Sequence, residues 1–150
     1  MTDNSQLPNA GLWRRLAAMV YDIFLLVGLS FCYGICALLL RSVVFPSPNS
    51  ELEQPGILFQ LGWIIVLVSF YVYFWSKGGQ TLGMRAWRLK LVPEQDKEFN
   101  IYRGILRCAL ASISFAALGL GYLWCLIDRK SLTLHDRLSH TRVTVLPKEK

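Results

Sequence analysis

The carboxylate of Asp22 lies inside an apolar stretch that runs from Leu16 to Leu40 and is long enough to cross a lipid bilayer. A charged side chain at bilayer depth costs about 2.5–3.5 kcal/mol on insertion scales, so it indicates a functional site or a specific internal contact. Arg15 precedes Asp22 by two helical turns, so the two side chains share one helix face. Asp22 is therefore the first candidate site.

Two kinds of chemistry are open to Asp22. In the structural alternative it is an internal strut, paired with Arg15 or with Arg107, and removal of one partner would leave an uncompensated buried charge. In the functional alternative it carries a proton or a cation, because burial and a nearby arginine act in opposite directions on the proton affinity of a carboxylate. Gly28, Cys32 and Cys36 follow on the same side with small-residue spacing, which predicts a neighbouring helix there.

A glycine-rich turn, 78–83, follows the second apolar run. It lacks the lysine and the Ser/Thr that end a nucleotide-binding P-loop, so nucleotide binding is not expected. We interpret it as a tight interfacial turn that aims Thr81, Arg85 and Arg88 at lipid phosphates or at the C-terminal tail.

His135, Asp136 and His140 offer three metal-ligand types within six residues. Histidines five residues apart do not share a helix face well, and no cysteine is near them, so we expect no metal. Asp136 is expected to cap a turn or to pair with a basic residue of the preceding loop, and both histidines to lie at the membrane interface. A His-Asp catalytic pair has no convincing nucleophile placed beside it, so the sequence predicts neither an enzyme nor a cofactor.

The elements that must position these residues are mainly apolar helices. The 150-residue chain is 53% hydrophobic, with a mean hydropathy of +0.37, which predicts one integral membrane domain with little separate soluble core. The apolar runs are about 16–40, 57–75 and 108–127, separated by a loop over 76–107 and followed by a basic tail over 128–150. The four cysteines all lie within apolar runs and are interpreted as packing residues.

The net charge of +6 is concentrated in the segments that flank these runs. Its lysines and arginines are expected to set the topology and to contact anionic lipids, and no nucleic-acid partner is expected. Their distribution predicts a cytoplasmic N-terminus and a cytoplasmic loop 76–107, with Ser42–Gly56 outside.

The third apolar run leaves two topologies open. Three full crossings would send the basic tail outside, against the same charge rule. Trp87–Val92 and Thr141–Val145 both alternate with period two, as short strands do, and their pairing would hold the tail on the side of the loop. A re-entrant hairpin with its elbow at 118–121 would satisfy both conditions. The alternative is an ordinary spanning helix whose glycines pack against neighbours.

Three stretches, 11–22, 79–85 and 134–143, together resemble the RDD family of small membrane proteins, which is named for one arginine and two aspartates. On this resemblance the signature residues are Arg15, Asp22 and Asp136, and the protein is expected in a bacterial-type inner membrane. The supporting residues are Arg107, Gly79, Gln80, Thr81, Gly83, His135, Arg137 and Thr141.

The expected fold is thus an all-α membrane protein with two transmembrane helices, a third apolar segment that is re-entrant or spanning, and a small cytoplasmic two-stranded β element. The family has a proposed role in cation/proton exchange, which makes a transport unit with Asp22 as carrier one expectation. Such a unit would need a homo-oligomer, since so few helices enclose little space. The alternative is a scaffold or accessory subunit of a membrane partner, in which the signature residues are structural.

Overall fold

The structure is a computed structural model that describes residues 7–44, 56–93 and 99–147. It confirms the predicted fold class: two helices are long and apolar enough to cross a membrane, and they are joined by a bent pair of apolar helices and a small antiparallel sheet. The elements in chain order are α1 (Leu12–Val44), α2 (Ile57–Gly78), α3 (Leu82–Ala86), β1 (Leu89–Pro93), α4 (Ile101–Ala116), α5 (Leu120–Ile127), α6 (Leu134–Leu138) and β2 (Thr141–Val145).

Helix α1 is longer than its apolar run predicts. Its 33 residues correspond to about 50 Å at 1.5 Å per residue, against a hydrocarbon core of about 30 Å. The extra turn at the N-terminal end holds Arg15, so that this arginine belongs to the helix and does not merely precede it. Most of the predicted outer loop, 45–55, lies outside the described residues.

Helices α1 and α2 approach each other at a different place from the one predicted. The Tyr33 hydroxyl donates a hydrogen bond of 2.9 Å to the carbonyl oxygen of Phe59, and a Cβ atom on Gly62 would overlap that hydroxyl. The close approach therefore depends on Gly62 of α2. The predicted small-residue face is wrong as a packing surface within the described chain, because its three residues are exposed: Gly28, Cys32 and Cys36.

The third apolar segment is bent by 95° between α4 and α5. The break falls at 117–119, where Gly119 has φ +77°, a left-handed conformation that glycine adopts without a steric cost. The predicted elbow at 118–121 is confirmed to within a residue. The bend fits either a broken span or a re-entrant loop.

The predicted strand pairing is confirmed. Strands β1 and β2 are antiparallel, with Leu91 opposite Val143. Strand β1 begins later than the predicted Trp87, because Arg88 has φ +53° and belongs to the turn after α3. The N-terminal segment joins the free edge of β2, where Ala10 donates its N–H to the carbonyl oxygen of Val143 at 2.8 Å. Three distant parts of the chain therefore meet at the sheet.

The packed core lies at one end of the two long helices. All three buried residues of α1 lie in its first three turns, and both buried residues of α2, Val72 and Trp75, lie in its last two. The sheet and α3 complete this core with Met84, Leu89 and Val143. The predicted loop and tail are thus folded elements that position side chains against the ends of α1 and α2.

Candidate functional site

Asp136 is bound by two arginines from different helices. Arg15 of α1 donates from Nη1 to Oδ2, and Arg107 of α4 donates from Nη1 to Oδ1. Asp136 is fully buried, and the two arginines are only 5% and 6% exposed. These three residues, called the ion cluster below, therefore connect α1, α4 and α6 through charge-assisted hydrogen bonds.

Each arginine of the ion cluster also binds a further part of the chain. Arg15 donates from Nε to the carbonyl oxygen of Ala10 at 2.9 Å, next to the edge of the sheet. Arg107 donates from Nη1 to the hydroxyl of Thr141 at 2.8 Å, and its guanidinium lies 5.4 Å from the centre of the Trp75 ring. The cluster thus also connects the sheet and the end of α2.

Helix α6 presents Asp136 because Thr133 caps its N-terminus. The Thr133 hydroxyl accepts from the N–H of Asp136 at 3.4 Å, and the Asp136 carboxylate accepts from the N–H of Thr133 at 3.3 Å. This reciprocal capping box is visible in the sequence as Thr133-x-x-Asp136, a signal that sequence reasoning missed. Asp136 therefore both caps a turn and pairs with a basic residue, so both expected roles are observed.

The charges around Asp136 keep it ionised. Burial by itself would raise the pKa of this carboxyl group, but the guanidinium groups of Arg107 and Arg15 outweigh burial and hold the pKa well below its usual range. Its contribution to stability is therefore complete above the ordinary value of 3.8 and is lost as the pH falls below that value.

His135 is buried, contrary to the expectation that it lies at the interface. It is 3% exposed, its Nε2 is 3.0 Å from the Thr133 hydroxyl, and its ring packs edge-on against Tyr122 with centroids 4.7 Å apart. Burial and the neighbouring guanidinium of Arg107 lower its pKa from 6.5 to about 3, although Asp136 acts in the opposite direction. The imidazole is therefore neutral in the fold at physiological pH.

The depressed pKa of His135 predicts a pH-dependent stability. Below about pH 6.5 the unfolded chain takes up a proton that the folded chain excludes, so the free energy of unfolding falls by up to about 1.4 kcal/mol per pH unit. Chemical unfolding of the wild type and of His135→Gln between pH 7.5 and 4.5 should show a slope that the variant largely lacks. His140→Gln serves as the control. An equal slope in His135→Gln and the wild type would contradict the assignment.

Asp22 is bound by the glycine-rich turn and not by an arginine. Its Oδ2 accepts from the Thr81 hydroxyl at 2.6 Å, and its Oδ1 accepts from the N–H of Gly83 at 2.9 Å. The predicted pairing with Arg15 or Arg107 is wrong, because both guanidinium groups bind Asp136 instead. From the sequence, Thr81 is expected to face lipid phosphates or the C-terminal tail. Thr81 is instead 1% exposed, so it does not face lipid phosphates.

The rest of the turn attaches Thr81 and Gly83 to the sheet. Gly79 ends α2 with φ +70°, and its carbonyl oxygen accepts from the N–H of Leu91 at 2.7 Å. The Gln80 side chain donates to the carbonyl oxygen of Leu89 at 2.7 Å. The turn therefore connects α2, α3 and β1 while its donors bind Asp22 on α1.

Arg137, one of the predicted supporting residues, lies outside the ion cluster and outside the Asp22 contact. Arg137 is exposed and its guanidinium lies 3.6 Å from Asp128, at the surface of α6. The other predicted residues all lie in the ion cluster, in the Asp22 contact or directly beside them. Sequence reasoning missed Thr133 as the cap and Ser131, whose carbonyl oxygen accepts from Arg15 at 3.3 Å.

A cavity of about 460 Å³ lies between α1, α2, α4 and α5, next to the ion cluster. Arg15, Asp22 and Arg107 line it, together with Tyr71 and Tyr122. Within residues 7–44, 56–93 and 99–147, no three acidic, histidine or cysteine side chains are grouped as ligands of a metal ion. The cavity thus combines charged groups with an apolar wall.

The model of the RDD family matches residues 9–140, which is most of the chain. The matched range includes the ion cluster and Asp22 with its contacts. The chain belongs to the RDD family. Membership and the two long apolar helices together indicate a small membrane protein. No curated protein and no solved structure matches this RDD protein. Its three signature residues form two sites, since Arg15 and Asp136 bind each other while Asp22 binds the turn.

Proposed function

We propose that this RDD protein is a non-enzymatic scaffold or accessory subunit of the membrane, in which Arg15, Asp22 and Asp136 hold the fold together. The observation that carries this proposal is the ion cluster: a fully buried carboxylate is bound by two arginines that reach it from two other helices. Such a group cannot release its charge without leaving the arginines uncompensated. Arg15 and Asp136 are therefore committed to internal contacts, and on this proposal Asp22 is likewise structural through Thr81 and Gly83. The proposed partner is another membrane protein.

The proposed location is the inner membrane, with several passes and a cytoplasmic N-terminus. Support comes from the basic residues that follow α2 and those that follow α5, which favour the cytoplasmic side. Strand β1 follows α2, strand β2 follows α5, and the two strands pair with each other. This favours a chain that enters the membrane with α4 and returns to the same side with α5. On this proposal α4 and α5 form a re-entrant hairpin beneath the sheet.

A reporter at the C-terminus tests this topology. A green fluorescent protein fused there should be fluorescent, and alkaline phosphatase fused there should be inactive, because the tail stays in the cytoplasm. The same two reporters fused after Val44 provide the control for the opposite side. Active phosphatase at the C-terminus would overturn the re-entrant hairpin. It would also overturn the pairing of β1 with β2 in the membrane-inserted protein, because the two strands would then lie on opposite sides of the membrane.

A second candidate function is cation/proton exchange with Asp22 as the carrier, in a homo-oligomer. The observation that favours it is that Asp22 lines the cavity and that its two described donors, the Thr81 hydroxyl and the Gly83 N–H, are both neutral. A carboxylate held by neutral donors can exchange a proton for a cation more readily than one held by arginines.

Flux measurements separate the two functions. Purified protein is placed in liposomes with a pH-sensitive dye inside and is challenged with Na⁺, K⁺ and Li⁺ gradients beside Asp22→Asn and empty vesicles. The scaffold predicts no proton movement above empty vesicles. It also predicts that Asp22→Asn lowers the free energy of unfolding by about 1–3 kcal/mol, since an amide has only one acceptor oxygen for the two donors, the Thr81 hydroxyl and the Gly83 N–H.

The control for this experiment is Asp128→Asn, an aspartate outside the cavity. Cation-driven proton movement that is present in the wild type and in Asp128→Asn, but is lost in an equally folded Asp22→Asn, would replace the scaffold by the exchanger. A stable Asp22→Asn with full flux would contradict both functions.

A further inference from the structure

The cavity changes in polarity along the helices that enclose it. On α1 its lining begins with Arg15 and ends with Leu26; on α4 it begins with Arg107 and ends with Phe115. Helix α2 runs the other way, and its lining residues are Trp75 and Tyr71 near the sheet and Val68 and Leu67 farther away. All three helices therefore give the cavity a polar end at the sheet and an apolar end toward the middle of the spans.

The polar end has hydrogen-bond donors that the fold does not use. Both hydrogen bonds of Arg107 leave Nη1, and its Nε and Nη2 have no partner among the described residues. The hydroxyl groups of Tyr71 and Tyr122 also have no partner within the described chain, although both residues line the cavity. A guanidinium edge and two phenols on the wall of one cavity are a set of donors suited to the oxygens of a phosphate or a carboxylate.

The cavity opens on the apolar outer surface of the helices. Ile23 and Phe115 line it and are nevertheless 53% and 74% exposed, so they form a rim between the interior and the outside. In a membrane, this rim faces the acyl chains of the bilayer. A ligand that enters here comes from the lipid and carries an apolar chain.

We propose that this cavity binds a membrane phospholipid. Its phosphodiester accepts from Arg107 and from the two phenols, and one of its acyl chains lies between α1, α2 and α4. The volume of about 460 Å³ lies within the range of about 300–1,000 Å³ that small-molecule pockets occupy. This site does not depend on the scaffold or on the exchanger, since it uses none of the bonds that Asp136 or Asp22 makes.

The local charge favours a singly charged head group. Arg15 and Arg107 are balanced by Asp136 and Asp22, so that these four side chains sum to zero and provide no surplus for a dianion. A phosphodiester carries one negative charge, which the free edge of Arg107 can bind directly. A phosphate monoester or inorganic phosphate would meet stronger repulsion from Asp22.

Binding is tested with delipidated full-length protein in a neutral detergent, by titration with phosphatidylglycerol and detection of the complex by native mass spectrometry. Ala111→Phe fills the cavity wall and should weaken binding at least tenfold, while Ala109→Phe places the same ring on the exposed side of α4 and should leave binding unchanged. Tyr122→Phe keeps its ring against His135 and should weaken binding about threefold to tenfold. Circular dichroism establishes that each variant is folded.

Two further ligands establish which part of the lipid is bound. Diacylglycerol with the same acyl chains lacks the phosphate and should bind at least tenfold more weakly. Inorganic phosphate at millimolar concentration should not displace phosphatidylglycerol. Equal affinity for diacylglycerol, displacement by inorganic phosphate, or unchanged binding by both Ala111→Phe and Tyr122→Phe would overturn the proposal.

Discussion

Replacing Asp136 with asparagine is expected to lower the free energy of unfolding by about 3–5 kcal/mol. The substitution keeps the size of the side chain but removes the only negative charge that the ion cluster contains. Arg15 and Arg107 would remain buried with their positive charges facing each other across a neutral amide. The measurement is chemical unfolding of the purified variant in a mild detergent at pH 7, followed by circular dichroism.

The control for Asp136→Asn is the neighbouring residue on the same helix. Arg137→Gln removes an ion pair at the protein surface in which the arginine is exposed, and surface pairs contribute about 0–1 kcal/mol. A charge change in α6 is common to both variants, so the comparison isolates burial and pairing. If the two variants lost the same stability, the ion cluster would not be the centre of the fold.

Replacing Gly83 with alanine is expected to cost about 2–4 kcal/mol, although alanine favours helices. A Cβ atom at this position would overlap the carbonyl oxygen of Ala18 and would lie 2.8 Å from Oδ1 of Asp22. Neither atom can move away easily, because one belongs to the backbone of α1 and the other belongs to a carboxylate whose Oδ2 is held by the Thr81 hydroxyl. Helix α3 must therefore shift and lose the hydrogen bond from the Gly83 N–H to Asp22.

Gly78→Ala is the matched control for Gly83→Ala. Gly78 is the last residue of α2, and an added Cβ atom there would meet nothing within 4 Å. The expected change is within about 0.5 kcal/mol of zero. Thermal unfolding of both variants in the same detergent gives the comparison, and a stable Gly83→Ala would show that α3 does not need its close contact with α1.

The sequence contains enough information to predict which face of α1 is buried. Arg15, Ala18 and Asp22 follow helical spacing, and all three are buried as that spacing requires. The two strands were equally predictable, because the alternation over Trp87–Leu91 and over Thr141–Val145 is local. The bend near Gly119 was predictable from the glycines themselves. Each of these features depends on residues close together in the chain.

The partners of the signature residues could not be predicted in the same way. Seven residues separate Arg15 from Asp22, which is about 10 Å along a helix, and side chains on a helix lean toward its N-terminus. Arg15 therefore extends away from Asp22, toward a partner 121 positions later in the chain. No periodicity within a helix specifies such a partner. It depends on how α6 is capped and where the sheet places it.

The burial of His135 has a similar cause. From the sequence it is a polar residue in a basic tail, and nothing in its neighbourhood indicates an aromatic ring above it. Tyr122 lies on α5 and reaches His135 only because the chain bends by 95° after α4. The small residues farther along the same side of α1 were interpreted as a packing face for a related reason, since spacing alone cannot tell how far along a helix its neighbours extend.

The 121-residue separation between Arg15 and Asp136 also sets an order of events during synthesis. Both long helices leave the ribosome well before α6, so Arg15 reaches the membrane while its counter-ion does not yet exist. The ion cluster and the sheet can close only after β2 has emerged, since β2 joins both β1 and the N-terminal segment. Assembly is therefore completed from the C-terminus, and a chain that ends before Thr133 should insert its helices but be degraded quickly.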